Sequence, residues 1–153
     1  MINLQISEQY NKLVSADVLK QAAQETLTQA GTPIGVELTI VLENNEVIQA
    51  LNNQFRQIDS PTDVLSFPSG DMENPENDLT YLGDIVISVP KAQDQATTAG
   101  HSLQAELQLL TIHGVLHLIG FDHADEDQKT AMWLVQAEIL EAVGAEINTP
   151  PED

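Results

Sequence analysis

Apolar and polar residues alternate with a period of two in two stretches near the N-terminus. INLQI (2–6) and GVELTIVL (35–42) each place their apolar side chains on one face, which is typical of β-strands. Between them, apolar residues recur every three or four positions, which predicts an amphipathic helix with Ser15 as N-cap and Gly31 as its C-terminal stop. The apolar stripe of this helix consists of Val18, Leu19, Ala22, Ala23, Leu27 and Ala30.

The middle of the chain predicts one more helix and two more strands. Asn44 is placed to cap the helix, and the strands are predicted at 63–67, ended by Pro68, and at 82–90, ended by Pro90. The apolar residues of the helix fall at Val47, Ile48, Leu51 and Phe55.

Three further helices are predicted in the C-terminal half. The first runs from about Lys91 to Ala99, and the second is capped by Ser102 and runs to Gly120. The last covers about 126–143, and its predicted core residues are Met132, Trp133, Leu134, Val135, Ile139, Leu140 and Val143.

Four strands interleaved with about five helices predict one layered domain over residues 1–153. We assign it to the α+β class, with α/β as the alternative. The stretch 69–80 is predicted to be an acidic loop, and 148–153 a frayed tail.

The charge of the chain narrows the choice of partners. There are 24 acidic residues against five lysines and arginines, which gives a formal net charge of −19. Such a chain repels phosphate backbones, so free RNA or DNA is disfavoured as a tight ligand, whereas a basic protein partner is favoured. No transmembrane segment is predicted, and the lack of cysteine excludes thiolate ligands and fits the cytoplasm.

The stretch HGVLHLIGFDH (113–123) contains three of the four histidines. His113 and His117 lie one helical turn apart on the same face. Gly120 can adopt the left-handed conformation that ends a helix and turns the chain back, which would bring His123 to the other two. Three imidazoles leave the fourth corner of a tetrahedral metal site open, as in catalytic zinc sites. The sequence therefore predicts one metal ion on His113, His117 and His123.

The residue after the first histidine is Gly114, where zinc proteases of the H-E-x-x-H type have glutamate. That glutamate shuttles a proton to the leaving amine, so its absence disfavours peptide hydrolysis. Phosphodiester cleavage depends more on positive charge and on an activated nucleophile, both of which a metal supplies. The small size of Gly114 is expected to leave space above the metal for a bulky substrate.

Arg56 is the single arginine of the chain and lies at the end of a predicted helix. A guanidinium binds phosphate in a bidentate manner and stays charged at physiological pH. Arg56 is therefore the candidate for a second electrophile, the alternative being a surface ion pair.

Together these residues resemble the YbeY family of bacterial rRNA-maturation endoribonucleases. The similarity lies in LNNQFRQIDSPTDVLSFP (51–68), LGDIVISVPKA (82–92) and HGVLHLIGFDH (113–123), and the order of strands and helices extends it over the chain. The resemblance implies zinc on the three histidines, a catalytic role for Arg56 and cleavage of single-stranded RNA. It also implies a role in small-subunit rRNA 3′-end maturation and ribosome quality control, with small-subunit ribosomal proteins as further partners.

Two alternatives remain open at this stage. One is a metal-dependent peptidase that takes a carboxylate from elsewhere, and the other is a non-catalytic ribosome-assembly factor with structural zinc. Four residues have undecided roles. Asp63 and Asp84 are interpreted as structural, Asp122 as a possible second-sphere partner of a histidine, and His101 as a surface residue.

Overall fold

A computed structural model describes residues 1–33, 35–69, 81–145 and 147. The acidic stretch predicted at 69–80, apart from Ser69, and the tail predicted at 148–153 lie outside these residues. Within the described residues, four strands form one sheet: β1 (Ile2–Ile6), β2 (Glu37–Glu43), β3 (Val64–Pro68) and β4 (Tyr81–Ser88). The same residues contain a 3-10 turn (Glu8–Tyr10) and five helices: α1 (Ala16–Gln29), α2 (Asn45–Arg56), α3 (Val89–Ala99), α4 (Leu103–Leu118) and α5 (Glu126–Ala142).

The sheet is mixed, with the strand order β1-β2-β4-β3. The strands β1, β2 and β4 are parallel, and β3 pairs antiparallel with β4 at the edge. This mixed sheet with its five helices confirms the predicted α+β class.

The two faces of the sheet carry different layers. One face packs against α1, α3 and α4, through the main apolar cluster that contains Leu38, Ile40, Ile85 and Ile87. The opposite face is covered at β3 and β4 by α2, whose Ile48 packs against Leu65 and Val86. Because the side chains of a strand alternate, β3 contributes Val64 to the first layer and Leu65 to the second.

Local sequence signals explain most of the helix boundaries. The side chains of Asn44, Ser88, Ser102 and Asp125 accept hydrogen bonds from backbone N–H groups in the first turns of α2, α3, α4 and α5. Three of these helices, α2, α4 and α5, begin where the sequence predicts, and α3 begins two residues earlier than predicted. The start of α3 corrects the prediction that Pro90 ends a strand. Pro90 lies in the first turn of α3, where its missing N–H costs nothing because first-turn N–H groups have no partner within the helix.

The helix α5 departs from the prediction in one core residue. Met132, Ile139 and Leu140 are buried against α4, but Leu134 is 63% exposed. Two residues advance a helix by about 200°, so Leu134 lies on the face opposite Met132.

Within the described residues, no helix combines the length and the apolar character that a membrane span requires.

Candidate metal centre

The helix α4 lies at the centre of the protein and is buried on nearly all sides. The sequence predicts that Leu109, Leu110, Ile112 and Leu116 face inward, and all four are buried. Leu107 and Leu110 pack toward the sheet cluster, whereas Leu109, Ile112 and Leu116 pack toward α5. His113 and His117 therefore project from a helix that is held in place by packing on several sides.

The turn after α4 returns the chain toward this helix as the sequence predicts. Gly120 has φ +107°, its N–H donates to the carbonyl of His117 (3.1 Å), and the N–H of Phe121 donates to the carbonyl of Leu116 (2.9 Å). These two bonds form the Schellman motif, which is usually accompanied by an apolar contact across the turn. Phe121 and Leu116 belong to the same apolar cluster. The turn brings His123 back to the end of α4.

The three histidines of HGVLHLIGFDH form one group. One nitrogen of each ring lies within 4.8 Å of the others, and His113 Nε2 and His117 Nε2 are 3.1 Å apart. Zn–N bonds of about 2.0–2.1 Å in a tetrahedral site hold two nitrogens about 3.3 Å apart. The spacing therefore fits a metal ion bound by two imidazoles of α4, and the third imidazole is within reach. This group can hold a metal ion.

Gln136 of α5 orients the first of these rings, and sequence reasoning missed it. Its Oε1 lies 3.0 Å from His113 Nδ1, and both side chains are buried, with exposures of 2% and 1%. Since an amide oxygen only accepts, this contact favours the tautomer of His113 with its proton on Nδ1, in which Nε2 is the nitrogen that could bind a metal ion. The signal in the sequence is a glutamine at helical spacing among the apolar residues of α5.

Replacing Gln136 with leucine is expected to weaken metal binding by roughly 10- to 100-fold, because the ring of His113 loses its orienting acceptor. Gln136→Glu keeps the acceptor and should keep tight binding. The measurement is a metal titration of both variants with a competing chelator. Equal metal affinity in Gln136→Leu and the unmodified protein would remove this role.

Arg56 and the histidines line one cleft. Arg56 is the last residue of α2, and the strand β3 contributes Val64, Leu65, Ser66 and Pro68 to the same lining. In the part of the chain that the structure describes, no carboxylate lies within 4.0 Å of the Arg56 guanidinium. The alternative of a surface ion pair therefore gains no support, and the guanidinium borders the same space as the three imidazoles.

The turn after Arg56 has an unusual backbone. Gln57 is in the left-handed region with φ +57°, and among the described residues it is the one non-glycine residue with positive φ. The N–H groups of Gln57 and Ile58 donate to the carbonyls of Asn53 and Asn52. Asn52 is buried, and its side chain donates to the carbonyl of Ser60 (2.9 Å). These bonds determine where α2 ends and hence where Arg56 lies.

Two of the undecided aspartates, Asp63 and Asp84, form hydrogen bonds within the sheet region of the fold. Asp63 is buried at the start of β3, where its Oδ1 accepts from the N–H of Val64 (2.8 Å). Asp84 accepts a hydrogen bond from the Tyr81 hydroxyl, which also contacts Thr39. Both contacts are structural, in agreement with the interpretation of the sequence.

Asp122 lies in the cleft lining, and within the described part of the chain its carboxylate forms no ion pair with a histidine ring. Its Oδ1 accepts from the backbone N–H of His123 (2.8 Å), which stabilises the turn before that histidine. Gln136 does contact a histidine ring from the second sphere.

His101 is not a surface residue, which corrects the sequence interpretation. Its side chain is 3% exposed, and Nε2 lies 2.6 Å from the Glu106 carboxylate. Burial raises the pKa of Glu106, an effect that the hydrogen bond and charge of His101 oppose. The first turn of α4 brings Glu106 back over His101, a contact that spacing alone did not reveal. This pair is separate from the three-histidine group.

Gly114 does not provide space for substrate, which corrects a second expectation. A Cβ at this position would lie 2.7 Å from Cγ2 of Ile85 on β4. The carbonyl of Gly114 accepts a hydrogen bond from the Ser66 hydroxyl of β3 (3.3 Å). Glycine therefore permits α4 to pack closely on the sheet. A glutamate here would meet β4, so the protease-like side chain is excluded by packing.

Gly114→Ala is expected to lower the free energy of unfolding by roughly 1–2 kcal/mol, because overpacking against Ile85 outweighs the better helix propensity of alanine. In an Ile85→Ala background the loss should shrink or reverse, since the clashing methyl group is gone. Chemical denaturation of the four proteins measures this coupling. Stabilisation by Gly114→Ala alone would contradict it.

Comparisons with known proteins give consistent matches over most of the chain. The family model for endoribonuclease YbeY matches residues 2–144. A protein named endoribonuclease YbeY from Dehalococcoides mccartyi (strain CBDB1) is 44% identical over 143 residues, covering 86% of each chain. One of the same name from Geobacillus thermodenitrificans is 36% identical and covers 94% of this chain and 97% of its own. The solution structure of TM1509 from Thermotoga maritima is similar, with 31% identity, a TM-score of 0.63, and coverage of 94% and 89%.

Proposed function

Because this chain belongs to the endoribonuclease YbeY family, we propose that it is a zinc-dependent endoribonuclease that cleaves single-stranded RNA. The observation that carries the proposal is that a metal-binding group of three histidines and an arginine without a carboxylate partner among the described residues line one cleft. A cation and a guanidinium on one cleft suit a phosphodiester, since both can share the charge of the phosphoryl oxygens.

Different residues at the cleft bind the metal, orient its ligands and bind the phosphate. His113, His117 and His123 hold the ion, and Gln136 keeps the first ring in the tautomer that binds it. When bound, zinc supplies a Lewis acid toward a phosphoryl oxygen and lowers the pKa of water. Arg56 is the catalytic residue that binds the scissile phosphate and neutralises the charge that develops as the phosphorus gains its fifth oxygen.

The nucleophile is either water or the 2′-hydroxyl of the RNA itself. The product ends distinguish the two: a 2′,3′-cyclic phosphate requires attack by the internal hydroxyl, and a 5′-phosphate with a 3′-hydroxyl requires water. Mass spectrometry of the fragments from a short single-stranded RNA gives the answer directly.

The proposed biological substrate is the 3′ end of small-subunit rRNA, cleaved in the cytoplasm during ribosome maturation and quality control. The net charge of −19 opposes the binding of naked RNA. We therefore propose that basic small-subunit ribosomal proteins bring this single domain of residues 1–153 to its substrate. Cleavage should be slow on naked rRNA and faster on ribosomal particles. Equal rates on both would count against recruitment by proteins.

The test of the reaction compares substrates and metal states. Zinc-loaded protein is incubated with single-stranded RNA, duplex RNA, DNA and an unstructured peptide, each with and without chelator. We expect cleavage of single-stranded RNA alone, lost on chelation and recovered when zinc is added back. Peptide cleavage would instead support the peptidase. Loss of stability on chelation without any cleavage would support the non-catalytic assembly factor.

A further inference from the structure

An exposed aromatic ring lies next to Arg56 on α2. Phe55 is 54% exposed. Its ring meets that of Phe67 edge to face, with centroids 5.1 Å apart and an interplanar angle of 64°. Phe67 is half-buried and packs on the cluster of Ile48, Leu65 and Val86. Phe55 is therefore an exposed ring that a second, core-anchored ring holds in position.

The ring pair adjoins the cleft of the candidate metal centre. Arg56, Ser66 and Pro68 line the cleft. Phe55 directly precedes Arg56, and Phe67 lies between Ser66 and Pro68. The Ser66 hydroxyl faces α4, since it donates to the carbonyl of Gly114. By strand alternation the ring of Phe67 faces α2. The two rings thus lie next to residues of the cleft lining, and for Phe55 that neighbour is Arg56.

Because the protein is strongly acidic, RNA binding near Arg56 requires a contribution that does not depend on positive charge. A net charge of −19 gives little of the counterion release from which most nucleic-acid binding draws its affinity. Stacking of a base on an aromatic ring needs no charge, and it is tolerant of sequence because every base has a π-face. In a duplex both faces of a base are covered, so only an unpaired base can stack on a protein ring.

We propose that Phe55, supported by Phe67, stacks on an unpaired nucleobase of the RNA strand whose phosphate lies at Arg56. This inference rests on the proposed function and adds to it a residue that contributes to the preference for single strands. Since Phe55 is beside the site of charge neutralisation, stacking there also sets which phosphate reaches the cleft.

The experiment uses zinc-loaded protein and a short single-stranded RNA that carries 2-aminopurine, whose fluorescence is quenched by stacking. Phe55→Leu keeps an apolar side chain without a π-face, and Phe55→Tyr keeps the ring. Val47→Ala is the matched control, because Val47 is 38% exposed on the same helix. A parallel series places an abasic site at each position in turn. The readouts are the change in fluorescence on binding, KM and kcat.

For Phe55→Leu we expect KM to rise about 5- to 100-fold with loss of the fluorescence change, at both low and high salt. Phe55→Tyr and Val47→Ala should behave as the unmodified protein. At one abasic position, Phe55→Leu should cause no further loss, which identifies the stacked base.

Three results would overturn the proposal. These are an unchanged KM and fluorescence change in Phe55→Leu, a loss that is equal at every abasic position, and a change of oligomeric state on size-exclusion chromatography, which would assign the ring to self-association. Binding with quenching but without cleavage in the unmodified protein would leave the stacking site standing and refute the nuclease instead.

Discussion

Replacing His113 or His117 with alanine is expected to remove the metal and RNA cleavage together. Two imidazoles remain in each variant, and two ligands cannot hold a divalent ion against dilution as three can. The Lewis acid is worth several kcal/mol in the transition state, so cleavage should fall by roughly 10³-fold or more. Metal content by elemental analysis and cleavage of single-stranded RNA are measured on the same preparation.

The fourth histidine provides the control for this experiment. His101→Gln removes an imidazole that is also buried, but one that contacts Glu106 outside the candidate metal centre. It should keep its metal and its activity, even where the melting temperature falls. Because His113 is buried, circular dichroism of His113→Ala must first show a folded protein. His117 is only half-buried, which makes His117→Ala the safer variant. A folded His117→Ala variant with full metal content would refute the ligand assignment.

Arg56→Glu is expected to keep the metal and lose cleavage. The substitution removes the group that we propose neutralises the developing charge, and it would put a carboxylate against the phosphate. Loss of one such electrostatic contact costs about 10²–10³-fold in kcat, and the reversed charge adds to that loss. The measurement is single-turnover cleavage beside metal content. Arg56→Lys should retain part of the activity, since it keeps the charge without the bidentate geometry.

A second variant separates the effect of a charge change at the cleft from the effect of a change in the net charge of the protein. Lys129→Glu changes the net charge by the same two units, but Lys129 lies on α5 with its ammonium over the Trp133 ring. It should cleave at nearly the normal rate. Arg56 also stabilises the C-terminal end of α2 by its charge, so the melting temperature of both variants is recorded. Full activity in a folded Arg56→Glu variant would remove Arg56 from the mechanism.

Local signals in the sequence predicted the elements and the grouping of the three histidines. Asn44 and Ser102 cap their helices as predicted, and Gly120 adopts the positive φ that returns the chain to α4. In each case the interaction spans fewer than ten residues, so nearby sequence determines it. The prediction that Pro90 ends a strand is wrong because proline is tolerated both at the end of a strand and in the first turn of a helix.

Two errors at the site share one cause, which is contact between residues distant in sequence. Gly114 packs on Ile85 of β4, and His113 bonds to Gln136, which is 23 positions further along the chain. The error at His101 is of a different kind, because Glu106 is only five positions away and no spacing rule pairs the residue before a helix cap with the first turn of that helix. Hydrophobic periodicity gives the face of a helix that is buried, but not which residue of another element meets it.

By itself, the sequence determined the four strands, the five helices, the turn at Gly120 and the residues of a three-imidazole group, since all of these depend on dihedral preferences and on periodicities of a few residues. Only the tertiary structure decided that Arg56 shares a cleft with those imidazoles, that Gln136 orients His113, and that Phe55 rests on Phe67. These contacts join α2, β3, α4 and α5. They form through the packing of side chains between elements, and no local sequence pattern encodes that packing.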